Sequence, residues 1–474
     1  PGNRTDHEST DSSELTLFSF GTMRQAMYTF SLTPRLQSIR SRRLLCYAGA
    51  LATVVMLLLC LYNLTNGGLT HPLNEQYPGE PRYGIILDAG STGSRVHVFE
   101  FRYQRGRKQP YVLINELFQQ VRPGLSAFAR DPRRAAASLA DLIDACKRRI
   151  PAHYWTSTPL ALKATAGLRL LKPETSARIL SEVRQLLAKS PFAMDRDSVA
   201  IMDGLDEGIF SWVTLNFLNG QLAKPEDSYG ALDLGGGSTQ VTFALPSANV
   251  ASAVPAGFVK RLSLGGADAR LYSHSYLGLG LMSARLAILQ LSSQGKLPSS
   301  GAGGSKQFVT ACLPSNYTGQ WEHGGILYNV TGSASPDPYA ACRRLAIGVV
   351  RSAGVHQLTG LATGRFYAFS YFYDRAADAG LIGAKEGGEV TLADIANAAK
   401  AACNRRNSDS KQPFHCLDLC YQAALLTEGY GFAPSSKFVM RKKIRNVELS
   451  WALGAVFDVF YNHANNSSGP ATTN

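Results

Sequence analysis

Beyond Tyr83 the chain alternates short apolar runs with longer stretches of helical period. Residues 84–87, 96–101, 198–202, 230–234 and 240–245 have the length and the β-branched or aromatic content of strands, whereas 135–149 and 175–189 repeat apolar positions every three or four residues. Strands interleaved with helices predict an α/β chain. Other segments break the alternation. Residues 1–43 mix Ser, Thr, Asp and Arg without a period and read as a disordered tail, and 64–82, dense in Gly, Pro and Asn, reads as a stalk. Residues 292–305 (SSQGKLPSSGAGGS) read as a surface loop and 462–474 as a frayed end, with 464–474 assigned as disordered.

Between tail and stalk, residues 44–62 read LLCYAGALATVVMLLLCLY, nineteen uncharged positions and close to the roughly 20 that a helix needs to cross a bilayer. We assign 44–63 as a transmembrane signal anchor. Arg35, Arg40, Arg42 and Arg43 flank it on the N-terminal side, and no charged residue follows Arg43 until Glu75, so the tail is expected in the cytosol and the bulk of the chain in a lumen or outside. A cleaved signal peptide is the competing reading. Its apolar region of about 7–15 residues would end at small side chains, whereas this run ends Cys60-Leu61-Tyr62-Asn63. Pro1 in place of Met sets the expectation of a start upstream.

A length of 474 residues allows two packed domains and an appendage, and 45% hydrophobic with 18% charged residues is a globular composition. The net charge of +13 invites a polyanion. Because no Lys/Arg block with interleaved aromatics exists beyond Arg40, Arg42 and Arg43, a small phosphorylated substrate is expected in place of nucleic acid. Of eight cysteines, Cys46 and Cys60 lie in the apolar run, leaving Cys146, Cys312, Cys342, Cys403, Cys416 and Cys420, enough for two or three disulfides in an oxidising compartment. The absence of CxxC and HxxxH spacings argues against a zinc site. Sequons at Asn316, Asn329 and Asn466 fit the same compartment.

The most informative feature is an internal echo. LDAGSTGSR from Leu87 and LDLGGGSTQ from Leu232 both run from a strand through an Asp and a Gly-rich turn with Ser and Thr into a second strand. Glycines permit a tight turn whose backbone N–H groups face an anion, and the hydroxyls add donors, so each copy reads as half of a phosphate clamp. Asp88 and Asp233, at the two strand ends, suit a hydrated hard cation such as Mg2+ or Ca2+ and are expected to face each other across a cleft. No GxxxxGK[ST] loop and no GxSxG elbow is present. Glu207 follows the polar turn Asp203-Gly204-Leu205-Asp206 and precedes an apolar run, which places it near a helix N-terminus where the dipole favours an ionised carboxylate at neutral pH. Asp206 is the simple capping candidate. His97 reads as a satisfied strand histidine, and Arg95 as a partner of either a phosphate or an acid.

These segments resemble the apyrase family of nucleoside triphosphate diphosphohydrolases, whose five motifs occur in order at residues 86–101, 162–170, 201–217, 231–243 and 367–374. The resemblance covers nearly all of 84–460. It implies two RNase-H-like lobes of the actin-like superfamily with a nucleotide between them, lobe I spanning 83–203 with 444–463 returning to it, and lobe II spanning 204–443. It implies Glu207 as the base that activates water, Ser238 and Gln240 as its orienting groups, and Thr165 as a hydroxyl on the terminal phosphate. Gly90, Ser91, Thr92, Gly93, Ser94 and Arg95, with Gly235, Gly236 and Gly237, would bind phosphate. Asp88 and Asp233 would hold the cation through water, and Tyr371 or Tyr373 would stack on the base, with core packing as the other reading for either ring. Trp451 resembles a packing residue. The implied disulfides join Cys312 to Cys342 and Cys403 to Cys416.

A single anchor looks like the Golgi nucleoside diphosphatase branch, lumenal enzymes that hydrolyse GDP and UDP and, less efficiently, triphosphates. The alternative is a cell-surface or secreted apyrase acting on extracellular ATP and ADP. A third reading, a nucleotide-binding module without turnover, is opposed by the intact Glu207, Ser238 and Gln240. Stacking on one ring tolerates any base, so modest base selectivity is expected.

Overall fold

The computed structural model describes residues 78–107, 110–246, 254–264, 267–293, 306–358, 364–405 and 412–467. The tail and anchor assignments, the stalk as far as 77 and most of the 292–305 loop lie outside the described residues; where the stalk is expected to run on to 82, a strand already begins at Glu80. Among the described residues, no helix is long and apolar enough to cross a membrane.

Strands β1 (Glu80–Ala89), β2 (Ser94–Tyr103), β3 (Tyr111–Val121), β4 (Leu160–Ala164) and β5 (Val199–Ile201) form one sheet in the order β3-β2-β1-β4-β5. The second sheet is built from β6 (Gly230–Leu234), β7 (Ser238–Ala244), β8 (Val259–Leu264) and β9 (Ala267–Leu277). Three strands form a small sheet of their own: β10 (Lys306–Thr310), β11 (Thr318–His323) and β12 (Ile326–Gly332). The second sheet is completed by β13 (Phe366–Ser370), β14 (Gly388–Thr391) and β15 (Lys437–Met440), in the order β14-β15-β13-β6-β7-β9-β8, and β16 (Lys443–Ile444) pairs with β17 (Val447–Glu448).

The two large sheets repeat one topology. In the first, β1 is antiparallel to β2, β2 to β3, and β1 is parallel to β4 and β4 to β5. In the second, β6 is antiparallel to β7, β7 to β9, and β6 is parallel to β13 and β13 to β15. The echo read in the sequence is thus the first hairpin of a duplicated five-strand unit, with β8 and β14 added at the edges of the second copy.

Both faces of β1 are buried, which is why it reads as a continuous apolar run. Ile85 and Leu87 pack with Leu142 and Val183 from the helices Ala140–Arg149 and Pro173–Leu187, whereas Ile86 packs with Trp212 and Val456. Trp212 lies on the helix Gly204–Asn219 and Val456 on Ala452–Ser467. A side chain at Gly454 would collide with the Phe210 backbone, and the Gly454 N–H donates to Thr214 Oγ1 at 2.8 Å, so the two helices meet at close range.

Two expectations are corrected here. The helix expected at 135–149 is two, Pro132–Ala137 and Ala140–Arg149, interrupted where Ser138 Oγ donates back to the Ala135 carbonyl at 2.7 Å. The frayed end expected from 462 is helical as far as Ser467. Cys312–Cys342 and Cys403–Cys416 are disulfides, and Cys146 and Cys420 are buried thiols.

Candidate active site

The two hairpins end in the same way. Asp88 pairs in register with Arg95 across β1 and β2, and Asp233 with Gln240 across β6 and β7, so each glycine-rich turn follows an Asp by one residue. The turns face each other closely: a Cβ on Gly236 would lie 2.4 Å from Ser91 Oγ. Each is held from behind by a short approach of backbone to backbone. A Cβ at Gly167 would lie 2.7 Å from Ser91 Cα, and one at Gly280 would lie 2.4 Å from the backbone of Gly236, Gly237 and Ser238. The N–H groups of Leu281 and Met282 donate to the carbonyls of Gly235 and Gly236 at 2.8 and 2.9 Å, fixing the second turn to the helix Leu281–Ser292.

One cleft runs between the turns. From the first hairpin Asp88, Gly90, Ser91, Thr92 and Arg95 line it, and from the second Asp233, Gly235, Gly236, Gly237 and Ser238. Thr165, Glu207, Tyr371 and Tyr373 complete the expected set there. Gly93, Ser94 and Gln240 do not reach the wall. Gly93 lies against the Val121 carbonyl and Ser94 is buried. Gln240 is buried behind Ser238 and acts on it directly, Nε2 donating to Ser238 Oγ at 2.7 Å and to Ser275 Oγ at 3.0 Å.

Five carboxyls line this cleft, Asp88, Glu207, Asp233, Asp374 and Glu448, of which the first three stand at its phosphate end. Asp88 accepts from Arg95 Nη1 at 3.1 Å through Oδ2, while its Oδ1 is enclosed without a partner. Burial raises its pKa, with Arg95 and His97 opposing. Burial likewise pushes Asp233 up to about 6, assisted by Asp88 and opposed by hydrogen bonds from Ser370 and Ser211 and by the charge of Arg95. Ser370 has φ +57° at the junction of β13 and the helix Tyr371–Asp378, a strained backbone for a non-glycine residue at the point where it meets Asp233. Such a set of hard oxygens, one of them orphaned, fits a divalent cation. Among the described residues, the only three potential ligand atoms gathered within 4.8 Å are sulfurs, of Cys342, Cys416 and Cys420, and two of these are already in disulfides. No three carboxylate oxygens of the cleft gather that closely among the described residues.

Glu207 occupies the first turn of the helix Gly204–Asn219, which Asp203 caps by accepting from the Leu205 N–H at 2.7 Å. Arg169 Nη2 donates to its Oε2. Burial nevertheless pushes Glu207 up to about 8, with Arg169 pulling it down and Asp233 and Asp88 adding to the rise. This corrects the expectation of a carboxylate fully ionised at neutral pH, because desolvation outweighs the helix dipole.

Arg95 is the partner of an acid, whereas His97 is only half satisfied in its strand: Nδ1 lies 2.7 Å from Glu116 Oε1, but Nε2 is buried without a partner and the residue lines the cleft. Tyr373 is buried and its hydroxyl donates to the Ala384 carbonyl at 2.7 Å, whereas Tyr371 is half-buried and presents the more available ring. Trp451 is buried in the core shared with Trp212 and also touches the cleft. Arg169, Ser370, Arg122, Asp374, Lys442 and Glu448 were not expected at the site. Only Arg169 carried a signal, since it follows Thr165 by one helical turn within the second motif.

The model of the GDA1/CD39 (nucleoside phosphatase) family matches residues 74–468. Human ectonucleoside triphosphate diphosphohydrolase 6 is 43% identical over 405 residues, covering 85% of this chain and 82% of that protein. Human nucleoside diphosphate phosphatase ENTPD5 is 43% identical over 378 residues, covering 79% and 86%. A crystal structure of nucleoside triphosphate hydrolases from Neospora caninum matches with a TM-score of 0.59 at 14% identity, covering 87% of this chain and 97% of that one, a likeness of fold.

Proposed function

We propose a mechanism from one premise: the chain belongs to the GDA1/CD39 (nucleoside phosphatase) family and is a nucleoside phosphate hydrolase. It removes the terminal phosphate of nucleoside diphosphates and, less efficiently in our reading, of triphosphates. The observation that carries this is the pair of opposed glycine-rich turns with Asp88, Glu207 and Asp233 around one cleft.

In the ionised form Glu207 takes a proton from a water, which attacks the terminal phosphorus in line with the departing phosphoanhydride oxygen. Gln240 donates to Ser238 Oγ, which directs the hydroxyl proton of Ser238 away from Gln240 and toward that water. Thr165 and the N–H groups of Gly90, Ser91, Thr92, Gly236 and Gly237 receive the charge that develops on the phosphoryl oxygens. Asp88 and Asp233 would hold a divalent cation through water, and that cation would supply counter-charge to the phosphate chain. No covalent intermediate is required. Tyr371 stacks on the base, with Tyr373 packed behind it. The two duplicated units correspond to the RNase-H-like lobes, 83–203 with 444–463 and 204–443, on either side of the nucleotide.

The single apolar run at 44–63 supports a type II protein of the Golgi or another endomembrane compartment, with the catalytic part lumenal and clearing the GDP and UDP left by glycosyl transfer. Assay of the purified protein with GDP, UDP, GTP and ATP, together with protease protection in sealed microsomes, tests both parts. Diphosphates should be cleaved more efficiently than triphosphates, with monophosphates accumulating. A strong preference for ATP, with protease access from outside intact cells, would replace this reading by that of a surface apyrase.

A further inference from the structure

The acids of the cleft differ in how they are occupied. Asp88 is paired with Arg95, Glu207 with Arg169, and Asp233 is hydrogen-bonded by serines. Two further acids line the cleft, Glu448 on β17 and Asp374, both half-buried, and among the described residues neither carboxylate has a hydrogen-bond or ion-pair partner; the one beside the tyrosines is Asp374. It stands on the helix Tyr371–Asp378, one turn or about 5.4 Å beyond Ser370, whose side chain meets Asp233 at the phosphate end. It directly follows Tyr373 and shares the helix with Tyr371. Arg122 and Lys442 lie along the same cleft, so the free carboxylate sits among cations without being consumed by them.

A carboxylate offers acceptors only. On its Watson–Crick edge guanine presents two adjacent donors, N1–H and the N2 amino group, and can take both carboxylate oxygens at once. Uracil presents one donor between two carbonyls. Adenine and cytosine each set a ring-nitrogen lone pair beside an amino donor, which would face the carboxylate with like charge.

We infer that Asp374 is the residue that sets base specificity in this cleft, favouring a base that offers it two donors, guanine, over one that offers a donor beside a lone pair, adenine. The inference rests on the nucleotide-hydrolase reading above. It revises the expectation of modest base selectivity, because the aromatic ring tolerates every base and Asp374 then chooses among them.

The test compares GDP, 2′-deoxy-GDP, UDP and ADP on the intact protein and on the Asp374→Asn and Asp374→Ser variants. The wild type should favour GDP over ADP by at least about tenfold in kcat/KM, with UDP between. Asp374→Asn offers one acceptor and one donor, a match for adenine, so GDP should lose at least about tenfold and the GDP:ADP ratio should fall further still. Asp374→Ser should level the ratio. Because the base is remote from the reacting phosphorus, the loss should appear in KM more than in kcat. Equal losses for all nucleotides would make Asp374 structural and overturn the inference. So would a penalty that disappears with 2′-deoxy-GDP, which would assign the carboxylate to the ribose. Failure of the wild type to release phosphate from any diphosphate would instead overturn the function on which the inference rests.

Discussion

Arg169 donates a hydrogen bond to Glu207 across 38 residues of sequence, and the guanidinium is the nearest positive charge to the group assigned as the base. Only the ionised carboxylate can accept a proton from water. With burial holding Glu207 up at about 8, the competent fraction grows as pH rises through that value. For the free enzyme kcat/KM should therefore climb from about pH 7 to about pH 9 before levelling. Arg169→Met removes the charge that opposes the rise, so its ascending limb should move to higher pH. A full pH profile of both proteins on GDP checks this, and an unmoved limb would detach Arg169 from the base.

Glu207→Gln keeps the shape and an acceptor for Arg169 while removing the base. Turnover should fall by at least about 100-fold, the usual contribution of a positioned base, while nucleotide binding persists. Titration calorimetry with GDP alongside phosphate release separates the two. Activity within a few-fold of wild type would remove Glu207 from the mechanism.

What the sequence made legible here was local. The two Asp-Gly turns, the helix start before Glu207 and the strands β1, β2, β6 and β7 are each written within some twenty consecutive residues, where apolar period and turn chemistry suffice. The family resemblance supplied the disulfide partners, which parity of cysteines alone left open. Arg169, Asp374 and Lys442 were missed for a different reason. Their roles depend on which side chains meet after both sheets have folded: Lys442 adjoins β16 and reaches a cleft whose first strand begins at Glu80. The ionisation of Glu207 was misjudged because a helix N-terminus can be read from a sequence and the depth of its burial cannot.

Removal of divalent cation should stop the reaction. Asp88 and Asp233 are both buried, and Asp88 adds to the cost of ionising Asp233, so a hard cation is the natural counter-charge when a phosphate chain enters. EDTA should abolish phosphate release from GDP, and Mg2+ or Ca2+ should restore it. Asp233→Asn should weaken cation binding, raising the cation concentration that gives half-maximal activity. Full turnover in metal-free buffer would sink the assignment.

The second phosphate turn gives the sharpest test of geometry. At Gly280 an added methyl would sit 2.4 Å from the backbone of Gly236, Gly237 and Ser238, atoms that cannot swing aside. At Gly236 the nearest atom, also at 2.4 Å, is Ser91 Oγ, the end of a rotatable side chain. Gly280→Ala must therefore push the helix Leu281–Ser292 and the turn apart, straining the hydrogen bonds from Leu281 and Met282 that hold the turn in place. Overpacking of this kind costs about 1–3 kcal/mol, visible in thermal unfolding. A displacement of roughly 1 Å in the phosphate donors should lower kcat/KM on the order of 100-fold. Gly236→Ala should leave the melting temperature close to wild type, because Ser91 can rotate, yet still reduce activity by crowding the space for phosphate. If Gly280→Ala were as stable and as active as wild type, the turn would not be held by this contact, and the positioning of its N–H groups would need another source.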